Sequence, residues 1–127
     1  MGTVTAAVPD VVNRYFELMN GDRWDRFGEV WTADAEHWAV GGGSRTGREP
    51  IVDFYSRLFR AWEVHLDRPT RFLVAGDTVT VEVVFEGRLS DGRELEFPAV
   101  DVIDVEDGLI ARLTTWYDIA WVRKALA

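Results

Sequence analysis

Apolar residues before residue 63 recur at intervals of three and four, a spacing that is typical of amphipathic helices. A first helix is predicted between Pro9, which suits a first helical turn, and the Asn20-Gly21 pair, which suits a helix end. A second, short helix is expected after Asp22, which can cap it, and its apolar positions extend to Trp31. The third helix, about residues 48–62, has a wide apolar stripe formed by Ile51, Phe54, Tyr55, Leu58, Phe59 and Trp62.

Most of the rest of the chain reads as strands. A short strand is predicted at residues 35–40. The glycine-rich segment 41–47 that follows is expected to form a mobile surface loop at the mouth of a pocket. After residue 62 the apolar period becomes two. One predicted strand face is formed by Val79, Val81, Val83 and Phe85, and one face of the final strand by Leu109, Ala111, Leu113, Thr115 and Tyr117. The pattern does not decide which face His65 occupies. Strands are expected at 64–73 (interrupted at Arg68-Pro69), from Val79 to the turn at 90–92, from there to the Asp-Gly turn at 106–108, and at 109–118, before a short helix at 119–126. This order predicts an α+β fold with a bent sheet wrapped around the helices and a pocket between them.

Asp101 interrupts the apolar face of one predicted strand. The face is formed by Leu95, Phe97, Ala99, Ile103 and Val105. An unpaired buried charge is costly, so a carboxyl group there needs partners or takes up a proton. Such a position indicates either a functional group or a structural hydrogen bond. A one-residue register slip at Pro98 would turn Asp101 outward.

Several aromatic side chains fall on the same core-facing stripes as Asp101. A buried tyrosine needs a partner for its hydroxyl group, and Tyr15, Tyr55 and Asp101 could satisfy one another. Two O–H donors in a dry pocket would stabilise a developing oxyanion, which requires Asp101 to be protonated. The alternative is a structural network in the core. Trp31 and Tyr117 lie on the same stripes, and His37 is the histidine on the predicted strand near this pocket.

Composition excludes several classes of function. The net charge of −8 argues against nucleic acid or an anionic membrane as a partner. The chain has no cysteine, and its two histidines are far apart with no carboxylate at ligand spacing, so neither a disulfide nor a metal site is expected. The start of the chain does not resemble a signal peptide, and no apolar run could span a membrane. We therefore expect one cytoplasmic domain over residues 1–127.

The opposite face of the predicted sheet is also partly apolar. Val84, Val100 and Val102 lie on it. An apolar face that is left uncovered indicates a binding surface, and the simplest partner is a second copy of the chain. The sequence therefore predicts a homodimer formed through the sheet.

Three segments resemble the NTF2-like superfamily, and within it the ketosteroid isomerase-like and SnoaL-like polyketide cyclase branch. They are RYFELMNGD at 14–22, GREPIVDFY at 47–55 and PAVDVIDVEDGLI at 98–110. The resemblance covers essentially the whole chain. It implies a cone-shaped α+β barrel of the cystatin-like type, in which three N-terminal helices pack on a strongly curved, mostly antiparallel sheet around an apolar pocket. Dimers are common among proteins with that fold. No cofactor is expected, because hydrogen bonds alone can stabilise an enolate.

The resemblance assigns roles to individual residues. Tyr15 matches the tyrosine that donates to the substrate oxyanion, and Asp101 matches its protonated co-donor. Tyr55 matches a tyrosine that orients the first one. The remaining expected pocket residues are Trp31, Trp38, Phe54, Tyr117 and Asp118.

The chain departs from the isomerase pattern at the general base. An aspartate is expected on the first strand, where an ungapped alignment places Ala39, and a methyl group cannot abstract a proton. His37, two residues earlier on the same face, is the predicted replacement because its ordinary pKa suits proton transfer near neutral pH. The aspartate of the SnoaL-type cyclases on the last strand corresponds to Thr115, and the Arg-x-Asp of limonene epoxide hydrolases is absent from 78–89.

We therefore expect a cofactor-free enzyme that enolises a small apolar carbonyl compound, polyketide-like or steroid-like, for isomerisation or aldol-type cyclisation. Tyr15 and Asp101 would hold the oxyanion and His37 would transfer the proton, although an ionised Asp101 could itself be the base. One alternative is a non-catalytic module for ligand binding or dimerisation. Another is an epoxide-opening hydrolase or cyclase, which would need Asp101 paired with a second carboxylate such as Asp118.

Overall fold

The structure is a computed structural model that describes residues 7–127, so the first six residues of the predicted domain lie outside the described residues. The helices are α1 (Asp10–Asn20), α2 (Trp24–Phe27), α3 (Arg48–Phe59) and α4 (Ile119–Leu126), with a 3-10 turn at Gly28–Val30. The strands are β1 (Trp31–Ala39), β2 (Gly43–Thr46), β3 (Trp62–Ala75), β4 (Thr78–Leu89), β5 (Glu94–Glu106) and β6 (Leu109–Tyr117).

The six strands form one curved sheet in the order β2-β1-β6-β5-β4-β3. Neighbouring strands are antiparallel except β1 and β6, which are parallel. The helices contact the inner face, α1 against β3 and β6 and α3 against β1. The predicted α+β class and NTF2-like architecture are confirmed, with a sheet that is curved but not closed.

The core lies between the inner face of the sheet and the helices. The predicted alternation on β4 is confirmed, since Val79, Val81, Val83 and Phe85 are all buried. Burial on β5 alternates in the same way, and Pro98 pairs with Val84 without a register shift. Asp101 therefore stays on the inner face, where the apolar pattern placed it.

Two predicted boundaries between helices and strands are wrong. Trp31 begins β1 rather than continuing the second helix, and its backbone is extended. The third helix ends at Phe59, and Trp62 already pairs with Leu89 as the first residue of β3. Aromatic residues at the ends of elements fit both periods, so the apolar pattern alone extended each helix too far.

The glycine-rich segment is a strand hairpin rather than a loop. β2 pairs with β1, with Arg45 opposite His37. Gly41 and Gly43 have φ angles of +73°, which glycine adopts without strain and which lets the chain reverse within three residues. The hairpin therefore fixes Arg45 beside a buried histidine.

Register shifts that were not predicted change the course of β3 and β6. β3 is not interrupted at Arg68-Pro69 but continues through a register shift between Pro69 and Arg71. Proline is tolerated because β3 is an edge strand. On β6, a shift next to Asp104 leaves Ala111 out of the ladder, so Ile110 is buried where the alternation predicted Ala111.

Candidate functional site

A cavity of about 260 Å³ lies between the inner face of the sheet and α1, α3 and α4. Its wall is mostly apolar and aromatic, including Phe54, Leu58, Phe59, Trp62, Phe85 and Phe97. The polar or titratable side chains along it are Tyr15, His37, Tyr55, Asp67, Asp101, Thr115, Tyr117 and Arg123. The fold therefore brings side chains from α1, α3, α4 and five strands together around one space.

Tyr15 and Tyr55 form a buried hydroxyl pair, as expected. Their oxygens are 2.7 Å apart and either hydroxyl can donate to the other. Burial, together with the charge of Asp101, raises the pKa of both phenols well above the ordinary value, so both stay neutral. One hydroxyl donates its proton to the oxygen of the other. The hydroxyl that accepts this bond can still donate its own proton to a third group.

Asp101 is 5% exposed and lines the cavity. Its Oδ1 accepts a hydrogen bond of 2.7 Å from the Thr115 hydroxyl. Burial raises the pKa of Asp101 to about 7, against the opposing effect of that hydrogen bond. The expected network of Tyr15, Tyr55 and Asp101 is wrong in one respect: within residues 7–127 the hydrogen-bond partner of Asp101 is Thr115, and neither tyrosine bonds to it.

His37 lines the cavity as expected, but as a neutral group. It is 2% exposed, and its Nδ1 accepts from the guanidinium of Arg45, which lies 3.6 Å above the ring centre of Phe54. Burial and then the charge of Arg45 lower the pKa of His37 to about 3. A neutral imidazole that accepts at Nδ1 carries its proton on Nε2. His37 is thus a hydrogen-bond donor and a weak base, which does not favour the expected proton transfer by this residue.

The other expected pocket residues divide into two groups. Phe54 and Tyr117 line the cavity. Trp31 is fully buried in the core beside Phe27. Trp38 lies on the outer face, with its ring centre 4.4 Å from that of Trp116.

Asp118 is exposed and outside the cavity lining. It caps α4, accepting from the backbone N–H of Trp121 at 3.0 Å. The expected placement of Trp31, Trp38 and Asp118 at the pocket is wrong. Trp31 begins β1 inside the core, Trp38 alternates with His37 onto the outer face, and Asp118 lies between β6 and α4.

Asp67 was missed by sequence reasoning. The residue as a whole is partly exposed, but its Oδ2 is buried and has no hydrogen-bond partner among the described residues. Burial, with the charge of Asp101 contributing, raises its pKa to about 8. Asp67 is two residues from His65, so both side chains lie on one face of β3, but the sequence pattern did not assign that face.

The second histidine is not part of this site. His65 is buried, stacks on Phe59 at 4.2 Å between ring centres and bonds to Asp22 through Nε2 at 2.6 Å. Residues 7–127 contain no group of three or more side chains that could hold a metal ion. Among the helices of the described part of the chain, none is long and apolar enough to cross a membrane, and location in the cytoplasm stays a prediction.

Solved structures with the same fold cover most of the chain. A protein from Catenulispora acidiphila with a ketosteroid isomerase-like fold, in complex with trimethylamine, has a TM-score of 0.82 and 23% identity, covering 89% of this chain and 88% of that chain. A proposed polyketide cyclase from Xanthomonas campestris has a TM-score of 0.82 and 23% identity, covering 91% and 94%. TerC, co-crystallised with polyporic acid, has a TM-score of 0.83 and 17% identity, covering 92% and 95%.

These likenesses show the fold alone, because identity is low. No match was found among curated protein sequences. The family model for the SnoaL-like domain matches residues 12–113, which is most of the chain and includes the two tyrosines, His37, Asp67 and Asp101. This protein therefore belongs to the SnoaL-like domain family.

Proposed function

We propose that the protein is an enzyme that enolises a small apolar carbonyl compound, leading to isomerisation or aldol-type cyclisation. The observation that carries this proposal is the convergence of O–H donors on an apolar cavity. The Tyr15–Tyr55 pair keeps one donor proton free, and Asp101, whose pKa is raised to about 7, is available as a neutral donor in weakly acidic solution. Donors fixed in a dry site stabilise charge that develops on oxygen in the transition state.

In this mechanism the substrate oxygen lies against the tyrosine pair and Asp101. The Tyr15 hydroxyl donates to the oxygen while Tyr55 orients Tyr15, and Asp101 donates through its second oxygen because Oδ1 already accepts from Thr115. His37 contributes its Nε2 proton as a further donor at the cavity wall. Hydrogen bonds alone can stabilise an enolate, so this chemistry requires no cofactor.

The size of the cavity limits the substrate. Its volume of about 260 Å³ lies just below the range of about 300–1,000 Å³ that is common for drug-sized ligands. The aromatic wall favours a flat ring system. A compound with one or two fused rings is therefore the preferred substrate class, and polyporic acid in TerC and trimethylamine in the Catenulispora protein support small ligands in this fold.

A second candidate is a non-catalytic module that binds such ligands. It is favoured by Ala39, which lines the cavity where a general base would be expected. The epoxide-opening alternative loses Asp118, which caps α4 outside the cavity, and its second carboxylate would have to be Asp67, which lines the cavity with Asp101.

Hydrogen exchange of 2-tetralone, a bicyclic ketone with acidic α-protons, tests enolisation directly. We expect the wild type in D₂O to exchange these protons faster than buffer, as followed by proton NMR. Tyr15→Phe and Asp101→Leu should each slow this exchange by about 10²-fold, the usual effect of losing one oxyanion donor. Asp101→Asn, which keeps a donor at that position, should slow it less. Binding of the ketone without any exchange would contradict the enzyme and support the binding module.

We also propose that two copies associate through the outer face of the sheet. Trp116 is 50% exposed there and packs on Trp38, and a shallow depression beside it is lined by Val84, Pro98 and Val100. An exposed tryptophan on an apolar face is typical of an interface. Light scattering should give a dimer mass for the wild type and a monomer mass for Trp116→Glu, and a monomeric wild type at high concentration would contradict the proposal.

A further inference from the structure

Asp67, which lines the cavity, has a fixed backbone but a carboxyl oxygen without a hydrogen-bond partner among the described residues. The backbone of Asp67 on β3 is fixed by Asn20, the last residue of α1. The Asn20 side chain donates to the Asp67 carbonyl at 2.9 Å and accepts from the Asp67 N–H at 2.9 Å. The buried Oδ2 of Asp67 has no partner within residues 7–127. A buried acceptor left unpaired is unfavourable and is often explained by a functional role.

We propose that Asp67 is the general base of this site, replacing the carboxylate that Ala39 cannot supply. This inference rests on the proposed enolisation. A general base needs an acceptor that is free and within reach of the substrate proton. Asp67 lines the cavity and its Oδ2 makes no hydrogen bond within residues 7–127. By contrast, Asp101 accepts from Thr115 through Oδ1 and uses its second oxygen as the proposed donor, and Nδ1 of His37 accepts from Arg45.

Asp67 and Asp101 can supply one base and one acid together. Two carboxylates in one apolar cavity repel, so the pair holds one proton over a range of pH. Asp67, with a pKa of about 8, binds the single proton more tightly than Asp101, with a pKa of about 7, so in the free protein that proton lies mainly on Asp67. Catalysis uses the less populated form of the pair, in which Asp101 holds the proton and Asp67 is the base. The other titratable groups facing the cavity are Tyr15, His37, Tyr55, Tyr117 and Arg123. Both paired tyrosines have raised pKa values and His37 has a lowered one, so near neutral pH the carboxyl pair changes protonation while these three stay neutral.

The proton balance is simple. The Asp67 carboxylate takes a proton from the carbon next to the carbonyl, and the C–H electron pair becomes the new C=C bond. The carbonyl π pair moves to oxygen, where Tyr15 and Asp101 donate hydrogen bonds. Asp67 then returns the proton to a different carbon in isomerisation. In cyclisation the enolate carbon attacks a second carbonyl group, and Asp67 protonates the resulting alkoxide.

Two measurements on Asp67→Asn test whether Asp67 is the base. The exchange rate should fall, whereas the affinity for an ionised ligand should rise. Exchange of 2-tetralone protons should fall by about 10²-fold or more when the base is lost. Binding of ionised 2-naphthol, whose oxygen resembles that of an enolate, should become tighter at pH 8, since a negative charge is removed from the cavity. Asp104→Asn is the matched control: Asp104 is a half-buried carboxylate on β5 outside the cavity lining, and this change should alter neither readout.

Unchanged exchange in Asp67→Asn, with the wild type active, would overturn the base and leave the proposed function standing. Absence of both exchange and naphtholate binding in the wild type would overturn both. If the variant does not fold, carboxyl-carbon NMR on the wild type decides: titration of Asp67 near pH 8, coupled to Asp101, supports the pair. Titration of Asp67 near its ordinary pKa of about 4 would overturn it.

Discussion

The hydroxyl pair of Tyr15 and Tyr55 predicts strongly non-additive effects on stability. Replacing either residue with phenylalanine leaves the other hydroxyl buried without its 2.7 Å partner. Leaving a buried polar group unpaired costs about 1–3 kcal/mol of unfolding free energy. Replacing both removes the hydroxyl groups together, so the double variant should lose about as much as one single variant or less, giving a coupling energy of about 1–3 kcal/mol.

The cycle can be measured by urea unfolding followed through tryptophan fluorescence, since the chain has six tryptophans. Tyr117→Phe is the matched control. Tyr117 lines the same cavity, but its hydroxyl makes no hydrogen bond in the described part of the chain, so this change should cost less than about 0.5 kcal/mol. Additive costs for Tyr15 and Tyr55 would refute the pairing and the free donor proton inferred from it.

Three further predictions follow from the charged groups. The unfolding free energy should fall as the pH rises from 6.5 to 8. In the folded protein Asp101 and Asp67 have pKa values of about 7 and about 8, so they bind more protons in this range than they do in the unfolded chain. Urea titrations should show a smaller dependence on pH for Asp67→Asn than for the wild type. The lowered pKa of His37 acts in the opposite direction only below its ordinary value of 6.5. Arg45→Met should raise the pKa of His37 from about 3, as measured by imidazole NMR. The pKa should stay below its ordinary value, because burial is the larger cause of the shift. An unchanged pKa would contradict the contact between Arg45 and His37. Asp118→Ala should cost about 0.5–2 kcal/mol through loss of the α4 cap and leave 2-tetralone exchange unchanged, whereas lost exchange in a folded variant would return Asp118 to the site.

The strands that have one continuously apolar face could be predicted from the alternation of apolar and polar residues and from the turn residues between them. β4 and β5 follow period two without interruption, and Pro98 lies on the partly exposed face of its strand without disturbing the ladder. Where a bulge intervenes, the pattern gave the wrong face, as at Ala111. The glycine-rich hairpin was missed because β2 is four residues long and mostly exposed, so it has no apolar period to detect.

The candidate site was predictable only where a polar residue interrupts an apolar face. Asp101, Tyr15 and Tyr55 satisfy that condition. Asp67 does not, because β3 is an edge strand with alternating exposed polar residues and a bulge after Pro69. The Arg45–His37 contact depends on the register of a hairpin, and the pairing of Asp101 with Thr115 depends on β5 and β6 being neighbours. Both require the sheet topology before they can be inferred.

Ionisation of bound phenols tests the central claim, that the cavity stabilises negative charge on a ligand oxygen. A series of phenols and naphthols of increasing acidity would be bound at about pH 6, where both cavity carboxyl groups are mostly protonated, and followed by ultraviolet absorption. We predict that the wild type binds them as phenolates well below their solution pKa, that Tyr15→Phe and Asp101→Leu lose this ability, and that Tyr117→Phe keeps it. Binding of every member in its neutral form, or equal ionisation in all four proteins, would contradict the account and make the tyrosine pair and Asp101 structural.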